Sequence, residues 1–98
     1  MRITESRGSR TTTLFIAGKI DNHTSPQLQG ELFRVSKLAK NVTLDFADVD
    51  SIDESGVRVL QSVLRLISSR RGMLLLQNAN FKVRREVQKH GLGKLLVH

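Results

Sequence analysis

The stretch VTLDFADVDSIDESGV, residues 42–57, contains the pattern that decides the fold. Val42–Phe46 alternates apolar and polar residues and starts with a β-branched one, which predicts a strand entering a core. Residues 47–56 are rich in acidic side chains and predict a loop. From Val57 onward, apolar residues fall on one wide stripe, which predicts a buried helix that ends at Arg70–Gly72. A strand, a loop and a helix lying on a sheet form the repeating unit of a parallel α/β fold.

The flanking sequence continues this alternation in both directions. Upstream it predicts strands over Arg2–Ser6 and Thr12–Gly18, then a helix that starts at Thr24-Ser25-Pro26, buries Leu28, Leu32, Val35 and Leu38, and ends near Asn41. Downstream it predicts a strand over Met73–Gln77, a helix over Phe81–His90 with Val83 and Val87 inward, and a last strand or short helix at Leu95–Val97. This order predicts a single α/β domain over residues 1–98, with mainly parallel strands joined by right-handed crossovers.

Length and composition exclude several classes of protein. A chain of 98 residues is too short for a multidomain enzyme. It contains no cysteine, so neither disulfides nor thiolate metal sites are available. No apolar run approaches the roughly 20 residues that cross a bilayer, and the first residues contain no apolar signal core. We therefore expect a cytoplasmic protein.

The charge is strongly positive and unevenly distributed. Sixteen lysines and arginines stand against nine acidic residues, a formal charge of +7, with basic residues concentrated in the last third and acidic residues in the middle. A basic surface can attract nucleic acid or anionic lipid, but a solvated helix face explains it equally well. All four aromatic residues are phenylalanines inside apolar patterns, so no row of stacking rings is present. We expect neither direct nucleic-acid binding nor stable membrane association.

Ser55 lies in the first turn of the predicted buried helix, beside Asp53 and Glu54. Its hydroxyl can cap the helix by accepting hydrogen bonds from the free N–H groups, which explains the serine without any function beyond folding. Alternatively, Ser55 can accept a phosphate, because the amides and dipole of a helix N-terminus stabilise an added anion. Phosphorylation adds about −1.5 to −2 charges, which would disfavour a partner surface shaped for a neutral hydroxyl. Both interpretations remain open from spacing alone.

Residues 42–57 resemble the STAS domain family, and within it the stand-alone bacterial anti-sigma factor antagonists. Further matching pieces are Gly18–Asp21, Ser25-Pro26, Asn78 and Gly91–Leu95, so the resemblance covers most of the chain. It implies the STAS fold, a four- to five-stranded mixed, mainly parallel sheet with helices packed on it.

The resemblance also implies a partner switch. In this family the unphosphorylated protein binds an anti-sigma factor with serine kinase activity, and the sigma factor is released. Phosphorylation of the serine before glycine, which is Ser55 here, ends that binding, and a PP2C-type phosphatase restores it. Asp53 matches the family's aspartate beside the phosphorylation site, and Asp21 matches a polar loop position near it. Glu54 stands where many members have Ser or Thr, and its permanent charge could alter kinase choice. No cofactor is implied.

We expect the partner-binding surface to comprise the predicted loop and the start of its helix. Its residues are Asp21, Asp53, Glu54, Ser55, Gly56, Val57 and Val59. An exposed Val57 or Val59 would supply the apolar contact.

Two other functional classes compete with this interpretation. The acidic residues could form a metal or acid/base site of an enzyme, but no D-x-D-x-D-G calcium pattern and no G-x-x-x-x-G-K phosphate loop is present. His23, His90 and His98 are too scattered for a set of metal ligands and are expected at the surface. We therefore expect neither an enzyme nor a metal site. The second alternative is a STAS scaffold or accessory module, in a stressosome-like assembly, secretion regulation or a lipid-transport complex, without a phosphorylation switch.

Overall fold

The computed structural model describes residues 1–97, which form a mixed four-stranded sheet with three α-helices and one 3₁₀ helix. The elements are β1 (Arg2–Arg7), β2 (Thr11–Ile20), α1 (Ser25–Leu38), β3 (Asn41–Ile52), α2 (Glu54–Ser69), β4 (Leu74–Gln77), α3 (Phe81–Lys89) and the 3₁₀ helix (Gly93–Leu95). The strand order is β1-β2-β3-β4, with β1 antiparallel to β2 and the remaining pairs parallel. The predicted α/β class and the mixed, mainly parallel sheet are confirmed.

The core lies where α1 and α2 meet the sheet, as expected when two successive right-handed crossovers place their helices on the same face. Along β2 the side chains alternate, with Leu14 and Ile16 buried and Phe15 between them exposed. Fully buried residues of the predicted helix stripes complete the core: Leu28, Leu32, Val35, Leu60, Val63 and Ile67. Leu38, expected in the same stripe, is exposed because it is the last residue of α1.

Strand β3 is much longer than expected, and the loop predicted over residues 47–56 is wrong. The last two residues of β3 pair with Lys19 and Ile20 at the end of β2, which is long enough to hold its neighbour through the acidic segment. The pairing of β2 with β3 contains two register shifts, which accommodate the irregular polar residues of β3. Only Asp53 separates β3 from α2. The predicted site residues at this point therefore lie on a strand–helix junction and not on a loop.

Helix α2 ends at Ser69, and the predicted Arg70–Gly72 segment caps it, but the glycine does not adopt the left-handed conformation. Arg71 does so, with φ of 62°. The Gly72 amide donates to the Ile67 carbonyl at 2.9 Å, as in a Schellman cap. Gly72 lies so close to the Lys40 carbonyl that a Cβ would overlap it. The glycine is thus required by a close approach of two backbone segments.

The C-terminal part departs from expectation at one apolar residue. Val83 and Val87 of α3 are fully buried, as predicted, but Phe81 is 72% exposed. It is the first residue of α3, so its side chain projects beyond the core, and the Arg85 guanidinium lies 5.5 Å from its ring centre. The chain then forms the 3₁₀ helix, and Leu96 makes a single parallel bridge to Leu76.

Within residues 1–97, none of the helices combines the length and the apolarity that crossing a membrane requires. The expectation that His98 lies at the surface falls outside the described residues.

Candidate functional site

The candidate site lies at the carboxyl end of the sheet, where β2 and β3 stop side by side. Ile20 and Ile52 are paired at the ends of these strands, and Asp21 and Asp53 are the residues that follow them. The Asp53 amide donates to the Ile20 carbonyl at 3.0 Å. Two of the predicted site residues, far apart in sequence, are therefore brought together by the pairing of parallel strands.

Asp53, and not Ser55, caps helix α2. Its carboxylate oxygen Oδ1 accepts hydrogen bonds from the Gly56 amide at 3.2 Å and from the Ser55 hydroxyl at 2.5 Å. The Ser55 side chain thus acts as a donor to the capping carboxylate, while a capping serine would accept from a backbone amide. The interpretation of Ser55 as a helix cap is therefore wrong. Its hydroxyl is partly exposed, with oxygen lone pairs that no backbone amide occupies.

Gly56 brings the first turn of α2 against the ends of the two strands. A Cβ at this position would lie 2.5 Å from Ile20 Cγ2 and 2.6 Å from Ile52 Cγ1, closer than atoms in contact allow. Gly56 is itself buried. The glycine of the Ser-Gly pair therefore has a structural cause, because a larger residue would push α2, with Ser55 on it, away from the sheet.

Val57 and Val59 do not form the exposed apolar contact that the sequence led us to expect. Their exposures are 1% and 6%, because both belong to the apolar face that α2 turns toward the core. Val59 also borders a surface groove beside Ser55. The exposed residues at this end of α2 are therefore polar or charged.

Glu54 forms an ion pair with Arg58 one turn further along α2. The carboxylate and guanidinium are 2.8 Å apart, and both side chains are mostly exposed. Such exposed pairs contribute about 0–1 kcal/mol to stability. The pair nevertheless places a cation beside Ser55, so the charge of Glu54 is not the only one next to the hydroxyl. Sequence reasoning missed Arg58, although the i,i+4 spacing of Glu and Arg could have indicated it.

Asp21 organises the turn between β2 and α1. Its Oδ1 accepts hydrogen bonds from the amides of His23 at 2.9 Å and Thr24 at 3.1 Å. The bond from the His23 amide, together with that from Thr24, lowers the pKa of the Asp21 carboxyl. The Thr24 hydroxyl accepts from the Asp21 amide and donates to the Lys19 carbonyl, so it does not cap α1 as its position suggested. The carboxylate is therefore ionised and fixed in orientation.

A shallow groove of about 170 Å³ runs between α1 and α2, from their first turns to Ser62 midway along α2. Polar side chains dominate its lining, which consists of Ser25, Gln29, Ser55, Arg58, Val59 and Ser62. Ser55 therefore faces both Asp53 on its own helix and a polar groove shared with α1.

The five acidic residues of the middle segment do not converge on one point. Asp45 is buried, and its carboxylate accepts hydrogen bonds from the Ala47 amide and from the side-chain amides of Gln77 and Asn78. Asp48 and Asp50 are exposed. In the part of the chain described, residues 1–97, no three His, Cys, Asp or Glu side chains are grouped so as to hold a metal ion.

Comparisons with known proteins agree with this fold. The structure is similar to that of the unphosphorylated anti-sigma factor antagonist SpoIIAA, with a TM-score of 0.87 and 20% identity over 98% of this chain and 86% of that chain. The phosphorylated form of the Bacillus SpoIIAA gives a TM-score of 0.79 at 20% identity, over 98% and 89% of the two chains. A putative anti-sigma factor antagonist from Thermotoga maritima gives 0.86 at 22% identity, over 96% and 82%.

At these identities the structural similarity establishes the fold alone. A search of curated protein sequences finds no significant match. The model of the STAS domain family matches residues 3–98. This match spans almost the whole chain, which therefore belongs to the STAS domain family.

Proposed function

We propose that this chain is an anti-sigma factor antagonist whose binding to its partner is switched off by phosphorylation of Ser55. The observation that carries the proposal is the position of the Ser55 hydroxyl. It lies partly exposed on the first turn of α2 and is not used as the helix cap, because Asp53 has that role. Membership of the STAS family and structural similarity to anti-sigma factor antagonists, one of them in its phosphorylated form, support the same role.

In this proposal the chain is a protein substrate and a binding partner, not an enzyme. The anti-sigma factor binds the unphosphorylated surface and carries the serine kinase activity. During phosphorylation, Ser55 Oγ attacks the γ-phosphorus of ATP, the bond from that phosphorus to the bridging oxygen breaks, ADP leaves, and a base of the kinase takes the hydroxyl proton. A PP2C-type phosphatase then uses water to return serine and inorganic phosphate. The chain itself needs no cofactor, and the cycle takes place in the cytoplasm.

The proposed binding surface is polar at its exposed positions. Asp21, Asp53, Glu54 and Ser55 contribute accessible groups at one end of the sheet, whereas Gly56 and Val57 support the surface from below. A phosphate adds about −1.5 to −2 charges beside carboxylates that are already present. A partner surface that tolerates the neutral hydroxyl then meets unfavourable repulsion and desolvation, so it dissociates.

A pull-down from native lysate tests the switch, with Ser55→Ala and Ser55→Asp proteins as baits and mass spectrometry to identify what they capture. Ser68→Asp is the matched control, because it adds the same charge to an exposed serine at the opposite end of α2. We expect Ser55→Ala and Ser68→Asp to retain an ATP-binding serine kinase that Ser55→Asp loses. If Ser55→Asp retains the same proteins, the switch is refuted, and a STAS scaffold without a phosphorylation switch becomes the better description.

A further inference from the structure

The groove beside Ser55 lies between α1 and α2 and includes a residue from the first turn of each helix. Ser25 is the first residue of α1, and Ser55 is the second residue of α2; both line the groove. These helices have 14 and 16 residues, and each has the positive end of its dipole at its N-terminus. The Ser25 amide of α1 is already bonded to the Asp21 carbonyl and Pro26 has no N–H, so the amides available to a ligand are those of the first turn of α2. The volume of about 170 Å³ is several times the roughly 30 Å³ that one water molecule occupies. The groove is therefore large enough for a small hydrated anion.

Ser25 supplies a second and independent indication of a ligand. The residue is only 8% exposed, and its hydroxyl has no hydrogen-bond partner among residues 1–97. No unpartnered polar side-chain atom in this part of the chain is fully enclosed, so the remaining exposure of Ser25 includes its oxygen. That oxygen therefore opens into the groove which Ser25 lines. With no hydrogen-bond partner among residues 1–97, this hydroxyl is left to water or to a ligand in the groove.

Arg58 is the cation of this groove. It follows Ser55 by three residues, so both lie on the same side of α2, and a helical side chain leans back toward the N-terminus. Its guanidinium already reaches the first turn, where it pairs with Glu54 at 2.8 Å. A guanidinium binds phosphate through two parallel hydrogen bonds, and a phosphate carries more charge than a carboxylate. A phosphate in the groove would therefore take Arg58 from Glu54.

Asp53 disfavours a side-chain position in which a phosphate on Ser55 points toward the Asp53 carboxylate and not into the groove. In the unmodified protein the Ser55 hydroxyl donates to Asp53 Oδ1 at 2.5 Å. A phosphorylated Ser55 has no proton to donate there, and its phosphate oxygens would face a carboxylate of the same sign. Rotation of the side chain away from Asp53 relieves this repulsion. The side that offers a cation and a free donor is the groove, with Arg58 and Ser25.

We propose that this groove is a binding site for a phosphate group, held by Arg58, by the Ser25 hydroxyl and by the first-turn amides of α2. The phosphate of phosphorylated Ser55 is its occupant, a point that rests on the proposed function, and free inorganic phosphate is the other source of the same chemistry. Transfer of Arg58 to the phosphate leaves the exposed Glu54 carboxylate unpaired. Phosphorylation of Ser55 then changes the partner-facing surface twice, because it adds the phosphate and also leaves the charge of Glu54 uncompensated.

Phosphorus-31 NMR of protein with phosphoserine incorporated at position 55 during translation tests this site without a kinase. The second pKa of a free phosphoserine is about 6, and a nearby cation lowers it. We expect the phosphate to bind its proton about three- to tenfold more weakly in the otherwise unaltered protein than in Arg58→Gln. Ser25→Ala is expected to lie between the two. Arg65→Gln, at an exposed arginine two turns further along α2, is the control and should titrate like the unaltered protein.

Titration of the unphosphorylated protein with inorganic phosphate distinguishes the two sources. We expect saturable shifts of the NMR signals of the Ser25 and Ser55 amides. If these shifts are lost in Arg58→Gln and absent when position 55 carries phosphoserine, one groove accepts both sources of phosphate. Equal titration of phosphoserine in Arg58→Gln and Arg65→Gln overturns the proposal, and shifts with inorganic phosphate alone would exclude phosphorylated Ser55 as the occupant. Because no partner or kinase takes part, failure of the partner switch would leave these results unchanged.

Discussion

The carboxylate of Asp53 holds the first turn of α2 and orients the hydroxyl beside it. It accepts from the Gly56 amide, and an N-cap of this kind contributes about 1 kcal/mol to stability. We therefore predict that Asp53→Ala lowers the free energy of unfolding by about 1 kcal/mol in urea titrations, whereas Asp53→Asn retains most of it. Ser55→Ala should cost clearly less than Asp53→Ala. An equal loss in both variants would return the capping role to Ser55.

Two helical glycines provide a matched pair at the residue scale. Gly56→Ala forces a methyl group against Ile20 and Ile52, and overpacking of this kind typically costs about 1–3 kcal/mol. Gly30 lies within α1, where a Cβ meets nothing within 4 Å, so Gly30→Ala should stabilise the fold by roughly 0.5–1 kcal/mol. Thermal unfolding measures both effects: the midpoint should fall in Gly56→Ala and rise in Gly30→Ala. A stable Gly56→Ala protein would mean that α2 can move away from the sheet.

The sequence predicted which residues form the candidate site but not the structural role of each of them. Asp53 and Ser55 are both good capping residues, and the choice between them depends on where α2 begins, to within two residues. That boundary is fixed by the pairing of the β3 end with β2, which no local pattern reveals. The burial of Val57 and Val59 has the same origin, because the face that α2 turns inward depends on how closely Gly56 approaches the strands.

At the scale of elements, the order of strands and helices was predictable because each has its own periodicity. The extent of β3 was not, since its second half has no regular alternation and contains acidic residues that are typical of loops. Its partner β2 supplies the hydrogen bonds that local propensity does not. The exposure of Phe81 was missed for a similar reason, because it is the end residue of an otherwise amphipathic helix.

The contact between β1 and α1 predicts a dependence of stability on pH. Hydrogen bonds from Arg34 and Arg7 lower the pKa of the Glu5 carboxyl. Because the folded-state pKa lies below the unfolded one, the stabilisation is complete above about pH 4.3 and disappears as the pH falls through the folded-state pKa. We predict that the stability difference between the native protein and Glu5→Gln, measured by urea unfolding, is largest near neutral pH and closes in acid.

The control for this prediction is Arg34→Gln, which removes the larger of the two causes. In that background the Glu5→Gln substitution should change stability much less, and its dependence on pH should be weaker. A difference that persists unchanged at low pH would show that Glu5 acts through packing and not through its charge.

At the scale of the whole molecule, the net charge of +7 conceals a division between two surfaces. The proposed partner surface carries Asp21, Asp53 and Glu54, whereas α3 carries four basic residues and one acidic residue. We predict that reversing charge in Arg84→Glu/Arg85→Glu changes the affinity for the proposed kinase partner by no more than about twofold at physiological salt, because both arginines lie on α3, outside the proposed surface, and salt screens exposed charges that do not contact the partner. Calorimetric titration with the captured partner measures this.

Arg58→Glu is the comparison for this charge reversal, because it places a second acidic residue beside Ser55. It should weaken partner binding much more than the α3 substitutions do. A large loss on changing Arg84 and Arg85 would move the interface from the Ser55 end to α3.

The hydrogen bond from the Asp53 amide to the Ile20 carbonyl means that no linear segment of the chain contains the complete site. A short peptide around Ser55 would lack β2 and the α1 side of the groove, and its serine would be presented by a flexible backbone. In the proposed switch, a kinase or partner that recognises Ser55 would therefore recognise the folded tertiary structure. A nascent or damaged copy of the chain presents no such surface, so it would take no part in signalling until its strands have paired.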